Sequence, residues 1–258
     1  MNQTLETIYS LRSIHGNFSN REVSKDDLKA ITDACVRAAN ASARQSYSVI
    51  VINDRQTIKE QFCYGGSKAL LFCVDFNRII LTADYLDHPF STDGLVGFIT
   101  GSTDTIMAAQ TAALAAKSMG IDSLFTNSIH RCDIAKLKNA FGLPKKYCFP
   151  LIALILGYSQ TEPGSRKGRL NGTGVLHDGK YHKPGEEELK ELVLTYDDPR
   201  KHMGMIDNWR DKGYEHYLDW FYKKWCSPVS AEKGAEVYSI LEQAGFIGFP
   251  DGHPKSSI

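Results

Sequence analysis

The run spanning residues 102–120, STDTIMAAQTAALAAKSMG, constrains the fold more than any other part of the chain. Alanine and other small side chains dominate it, so it predicts one long helix with Gly120 as its C-terminal cap. Small side chains let neighbouring elements approach closely, and the helix is expected to pack tightly. The other signals are shorter. Tyr47–Ile52 is continuous and β-branched, as a buried strand would be, and residues 69–74 and 149–156 read the same way. Residues 122–126 form a fourth, shorter strand signal. Helices are expected over 5–11, over 25–40 behind a Ser24/Asp27 capping pair, over 54–62, behind Asp133 through Phe141, and over 231–244. Residues 77–100 carry no pattern that assigns them. The expected class is therefore α+β, helix-rich, with a small central antiparallel or mixed sheet flanked by helices.

Composition narrows the function classes. Of 258 residues, 42% are apolar and 23% charged, which excludes disordered and collagen-like chains. Thirty basic residues balance thirty acidic ones, so no global field draws the chain to nucleic acid or to an anionic membrane. No apolar stretch is long enough to span a bilayer, and the first residues show neither an apolar signal core nor a basic leader. The six cysteines lack CxxC spacing and read as reduced, mostly buried thiols of a cytoplasmic protein. Histidines are dispersed, and no metal constellation, P-loop, GxGxxG, GxSxG or HExxH motif is present.

Four clusters could carry chemistry. Arg12-Ser13-Ile14-His15 offers a guanidinium, a hydroxyl and an imidazole to a phosphate, or is a solvated basic turn. Residues 40–45, Asn-Ala-Ser-Ala-Arg-Gln, hold short polar side chains between a helix and a strand. They are capping chemistry, or they face a flat heterocycle that satisfies Gln45. Thr126-Asn127-Ser128-Ile129 follows a strand and precedes a helix, where ligands bind in α/β sheets, and a plain loop is the alternative. Lys167-Gly168-Arg169 places two cations about a glycine, for a phosphate or for solvent. Cys132, beside His130 and Arg131, is either an activated or an inert thiol.

In order along residues 5–170, these segments resemble the FMN-dependent nitroreductase family, and most closely its long-chain branch of NADPH-dependent, oxygen-insensitive nitroreductases and flavin reductases. Arg12-Ser13-Ile14 stands where the family has an Arg-Ser-Ile-Arg-like phosphate motif. ASARQSYSVIVI, FCVDFNR, DTIMAAQTAALAAKSMGI, LPKKYCFPLIALILGYS and EPGSRKGRL are similar to its Ser-rich turn and strand, its second strand, its central helix, its last core strand and its basic end. The resemblance implies a homodimer with FMN at the subunit interface, NADPH or NADH as reductant, and a small-molecule electron acceptor. The reaction it implies is ping-pong hydride transfer to nitro compounds, quinones or flavins. Arg12, Ser13 and His15 would approach the FMN phosphate and ribityl chain, with Lys167 and Arg169 as a second basic arm. Asn40, Ser42 and Gln45 would face the ribityl or ring edge, and Asn127, Ser128 and Ile129 the flavin's other side. Arg44 and Lys167 are candidates for stabilising an anionic ring edge. Since the flavin does the organic chemistry, no acid–base side chain is expected. Residues 1–170 would be the FMN-binding core and residues 171–258 an extension on that core or on the partner subunit.

The chain departs from the family pattern at His15, which stands for a second arginine and makes phosphate binding weaker or pH-sensitive. Asn127-Ser128 replaces a glycine pair, Gly168 replaces a proline, the loop at 63–67 is short, and residues 172–258 match poorly. Arg200, Lys201 and Arg210 could meet a 2′-phosphate or be plain surface charges. The aromatic residues from Tyr214 to Trp225 are at helical spacing and read as core or dimer contact. Alternative readings are a related flavoprotein that fragments flavin or dehalogenates reductively, a flavin-binding protein without turnover, and a non-flavin α+β protein.

Overall fold

Two strands of this protein are buried on both faces, and both are sequences of nearly unbroken apolar residues. They lie side by side in the computed structural model, which describes residues 2–162, 164–226, 228 and 230–248. The described residues form, in chain order, α1 (Gln3–Ser10), α2 (Lys25–Cys35), β1 (Tyr47–Ile52), α3 (Arg55–Phe62), β2 (Lys68–Asp75), α4 (Asn77–Tyr85), α5 (Gly94–Ser118), β3 (Asp122–Thr126), α6 (Ile134–Ala140), β4 (Cys148–Gly157), α7 (Glu186–Asp197), α8 (Tyr217–Lys224) and α9 (Ala231–Gln243). The sheet order is β1-β2-β4-β3, and every neighbouring pair is antiparallel.

The doubly buried strands follow from the two-residue period of a strand. In β2, Leu70 and Phe72 face one side with α2 and the alanines of α5. Ala69, Leu71 and Cys73 face the other, with Ile58 and Phe62 of α3 and Leu137 of α6. Pro150 sits in β4, an interior strand, at a point where the register against β2 slips between Phe72 and Cys73. A bulge is where an interior strand tolerates a residue without an N–H. β1 is an edge strand: Ser48–Ile50 are half-buried and Val51 is exposed, rather than fully buried as its sequence suggested.

α5 turns Gly97, Gly101 and Ala108, Ala109, Ala112, Ala113 and Ala116 inward, so a strip without long side chains lies against the sheet and α2. Gly120 follows the helix with φ +73°, the left-handed cap its sequence predicted. The helix begins at Gly94, eight residues before the alanine-rich run, and α4 also falls in the stretch that the sequence left unassigned.

The chain divides into two units. The first runs to Thr161 and resumes at Ser230, and the second spans Glu162–Val229. α9 thus returns to the first unit, where Val237, Ile240 and Leu241 pack with Ala244 and Phe246 on Val74, Phe76 and Phe149. Within the second unit, buried Tyr217 is surrounded by Tyr196, Trp209, Trp220 and Phe221. The aromatic stripe is therefore core in part, but Tyr222 and Trp225 are exposed, and only Tyr217–Lys224 of the expected helical stretch is α-helical. Residues 36–40, expected as the end of α2, have already left the helix at Cys35.

Candidate functional site

Residues 12–15 leave α1 and run beside the start of β3. Ser13 forms a parallel bridge with Ser123, and the Ile14 N–H donates to the Ser123 carbonyl at 3.0 Å. Arg12 donates to both oxygens of Asp122 from one edge of its guanidinium, Nε at 2.9 Å and a terminal nitrogen at 2.7 Å. Lys117, near the end of α5, donates to the same carboxylate at 2.9 Å. Burial pushes the Asp122 carboxyl up, but the hydrogen bonds and charges of Arg12 and Lys117 outweigh it and hold the group below the usual carboxylate range. His15 is exposed and meets Tyr64 edge-on at 6.4 Å.

Residues 40–46 make a turn whose backbone is left-handed at Ser42, Ala43 and Gln45. A second buried carboxylate holds it: Asp104 of α5 accepts from the Ala41 N–H at 2.8 Å and the Ser46 N–H at 3.2 Å. Asn40 Oδ1 accepts from the Gln45 N–H at 3.1 Å, and Arg78 donates to the carbonyls of Arg44 and Gln45 at 2.6 and 2.8 Å. Gln45 finds side-chain partners within the chain, the Val36 carbonyl at 3.2 Å and the Tyr47 hydroxyl at 3.3 Å, so its need for a partner is met without a heterocycle. The orphans of this turn lie elsewhere. Arg44 Nε and Ser46 Oγ are buried without a hydrogen-bond partner, a costly state unless something else accepts from them.

After β3, Asn127 is exposed and Ser128 donates to the Phe62 carbonyl at 3.2 Å. Ile129 is a core residue among Leu124 and Leu137, so only its backbone is left to meet a ligand. The sheet here is antiparallel, so the parallel-sheet rationale for a site at this strand end does not apply. His130 Nε2 donates to the Pro150 carbonyl at 2.9 Å, and burial pushes its pKa down. Burial, then the neighbouring Cys63, push the Cys132 thiol up, the opposite direction from an activated thiol.

Lys167 and Arg169 belong to the second unit. Lys167 Nζ donates to the Gly204 carbonyl, and Arg169 to the carbonyls of Lys167 and Gly168 at 3.4 and 2.8 Å. Gly168 has a local reason: a Cβ there would lie 2.2 Å from the Lys201 carbonyl oxygen, and its N–H donates to the His202 carbonyl at 3.1 Å. A proline would lose that bond. Arg200 is paired with Asp198 at 3.0 and 2.9 Å, Lys201 donates to the Thr195 hydroxyl at 3.4 Å, and Arg210 lies 5.1 Å from the Trp209 ring centre. Among the described residues, no group of three or more His, Cys, Asp or Glu could hold a metal, and no helix is long and apolar enough to cross a membrane. Sequence reasoning singled out neither Asp104 nor Asp122 as a site residue, although these two carboxylates hold the candidate segments.

The fold is α+β and nitroreductase-like. The nitroreductase family model matches residues 89–158, which includes part of the stretch whose sequence pattern was mute. The resemblance to that family holds along far more of the chain. A Bacillus subtilis FMN reductase (NAD(P)H) is 27% identical over 261 residues, covering 95% of this chain and 98% of its own. A Staphylococcus aureus (strain MRSA252) NADPH-dependent oxidoreductase is 28% identical over 225 residues, covering 78% and 87%. The structure of the hypothetical oxidoreductase YcnD from Bacillus subtilis superposes with a TM-score of 0.78 at 26% identity, covering 95% of this chain and 98% of that one. The likeness thus extends past residue 170, where the motifs had ended.

Proposed function

We propose that this chain is an FMN-dependent NAD(P)H oxidoreductase that delivers electrons to small acceptors such as nitro compounds, quinones or flavins. The observation that carries the reading is the turn at 40–46. Its left-handed backbone is pinned by Asp104, and Arg44 Nε and Ser46 Oγ are buried in it without partners. A flavin ring edge is rich in acceptors and suits such donors. A fold shared with YcnD and a sequence similar to an FMN reductase along nearly its whole length support the same group.

In this reading Arg12, Ser13 and His15 hold the phosphate. Each charge-assisted donor contributes on the order of 1.5–3 kcal/mol in a partly dry cleft. Asn40, Ser42 and Gln45 meet the ribityl or ring edge. Asn127, Ser128 and the Ile129 backbone line the other side, and Arg44 favours negative charge at the ring edge. FMN, when bound, supplies the hydride and electron chemistry, with NADPH or NADH as reductant. The side chains bind and orient it.

The working form in this proposal is a cytoplasmic homodimer with FMN at the interface. Two observations support the dimer. The anchors Asp104 and Lys117 stand thirteen residues apart on α5, about 20 Å along the helix axis, so the turn and Arg12 are held at distant points of one subunit. Two subunits can bring both kinds of cluster to one cofactor. The outer side of α5 also exposes Val96, Ile99, Ile106 and Met107, an apolar strip of the kind that marks interfaces. The six free thiols fit a reducing compartment.

The test is a visible spectrum of the FMN-supplemented, desalted protein, followed by anaerobic addition of NADPH or NADH. Retained flavin bands that bleach within seconds are expected. A colourless protein overturns the reading.

A further inference from the structure

Cys63 and Cys132 are separated by 69 positions in the chain, yet their sulfurs lie 4.0 Å apart at the surface of the first unit. The proximity comes from two held backbones. Cys63 closes α3 in the left-handed conformation, φ +61°, with its N–H donating to the Lys59 carbonyl at 3.0 Å. Cys132 follows the turn after β3. Its N–H donates to the Ser128 carbonyl at 3.1 Å, and its own carbonyl accepts from Lys233 Nζ of α9 at 3.2 Å. The two segments are already joined once, where Ser128 Oγ donates to the Phe62 carbonyl at 3.2 Å. The other cysteines differ: Cys35, Cys73 and Cys148 are buried, and Cys226 is exposed in the second unit.

We propose that Cys63 and Cys132 form a reversible intramolecular disulfide when the protein meets a hydroperoxide. The sulfurs must close by about 2 Å to reach bonding distance, which side-chain rotation supplies when the backbones are in place. Cys63 is the more exposed sulfur and attacks first. Its thiolate cleaves the peroxide O–O bond and becomes a sulfenic acid, and the peroxide's other oxygen leaves as water after taking a proton. The Cys132 sulfur then attacks the Cys63 sulfur, the S–O bond breaks, and a second water departs with the Cys132 proton. In sum, two thiols and one hydrogen peroxide give one disulfide and two waters, the sulfurs losing two electrons and the peroxide gaining them. A dithiol reverses the change by exchange. The bond would fasten the end of α3 to the turn that carries Asn127 and Ser128. The inference uses no ligand and stands apart from the flavin reading.

The experiment treats the whole protein with equimolar hydrogen peroxide, blocks free thiols with an alkylating reagent, and maps proteolytic peptides by mass spectrometry with and without dithiothreitol. The expected product is a Cys63–Cys132 linked peptide that dithiothreitol dissolves, present in C226S and absent in C63S and C132S. Closing so long a loop should also raise the melting temperature of the oxidised wild type by about 5–10 °C, a shift that dithiothreitol reverses. Two alkylated thiols, a Cys63 sulfinic acid without linkage, or a Cys63–Cys63 bond between copies would each overturn the proposal.

Discussion

Asp122 grips Arg12 through two nitrogens on one edge of its guanidinium and holds Lys117 with the same carboxylate. One buried acid thereby fixes the arginine of the proposed phosphate-binding segment to the start of β3 and to the end of α5. Asp122→Asn removes a buried charge that two part-buried cations share, so a loss of about 3 kcal/mol is expected. The dissociation constant for FMN should rise at least tenfold. Lys117→Met keeps the grip on Arg12, so it should lower stability and leave FMN affinity within about twofold. Urea unfolding and fluorescence titration with FMN separate the two effects. Equal losses of FMN affinity in both variants would rule out the positioning role.

Asp104 does for the turn what Asp122 does for Arg12. It accepts two backbone N–H groups, from Ala41 and Ser46, inside a run of left-handed residues. Asp104→Ala leaves the buried Ser46 donor and the part-buried Ala41 donor unpaired and should cost about 3–5 kcal/mol, at about 1–3 kcal/mol for each unpaired donor. Asp104→Asn retains one acceptor and should cost about half of that. Both should lose flavin on desalting, with the asparagine variant recovering it at raised FMN concentration. Flavin retained by both variants would show that the turn does not touch the cofactor.

What could be read beforehand follows the range of the forces involved. β2 and β4 were legible because burial on both faces writes itself as an unbroken apolar run, and the end of α5 because Gly120 marks it. α4 and the first turns of α5 were not, because Leu81, Tyr85, Leu95, Val96 and Ile99 are exposed. An apolar outer face beside a glycine- and alanine-lined inner face erases the helical period. At the site, the segments 12–15 and 40–45 were visible as clusters of residue types. Their anchors were not, since Asp122 is 110 positions from Arg12 and Asp104 is 63 from Ala41. Gln45 is the opposite case: its need for a partner is met close by in the chain, at Val36 and Tyr47.

Gly168→Pro tests whether the glycine between Lys167 and Arg169 is a local structural need. The new ring would meet the Lys201 carbonyl, which lies 2.2 Å from the position of a Cβ, and would delete the donor to His202. A loss of about 2–4 kcal/mol in the second unit is expected from the overlap and the missing bond together. Gly168→Ala keeps the N–H and should cost less. Calorimetry of the three proteins gives the order, and a proline variant as stable as the wild type would contradict it.

The strip on α5 bears on the dimer. Ile99→Glu places a charge at a position that a two-fold interface would present twice, so the cost is doubled. Sedimentation at micromolar concentration should find the wild type dimeric and Ile99→Glu monomeric, with flavin lost in the monomer. Leu81→Glu, on α4 and equally exposed at the start, serves as the comparison. A wild type that sediments as a monomer would refute the interface.

The pH dependence of the second unit rests on His216 and Asp197. His216 Nδ1 lies 2.6 Å from Asp197 Oδ2, and the buried carboxylate also accepts from the Tyr217 N–H at 2.8 Å. The hydrogen bond and charge of Asp197 raise the His216 pKa above its ordinary value, against a smaller opposing effect of burial. A raised folded-state pKa means that the folded form binds the proton more tightly. The contribution is therefore fully present below about pH 6.5, the unfolded value, and is lost as pH rises through the folded one. His216 is partly exposed, so solvent screening holds the effect to less than about 1 kcal/mol. Urea midpoints of wild type and His216→Gln, compared between about pH 5.5 and pH 8.5, isolate it from the other titrating groups. The wild type should lose its advantage over the variant on going to the higher pH. An advantage that grew with pH would mean that the histidine is held neutral and that Asp197 acts through Tyr217 alone.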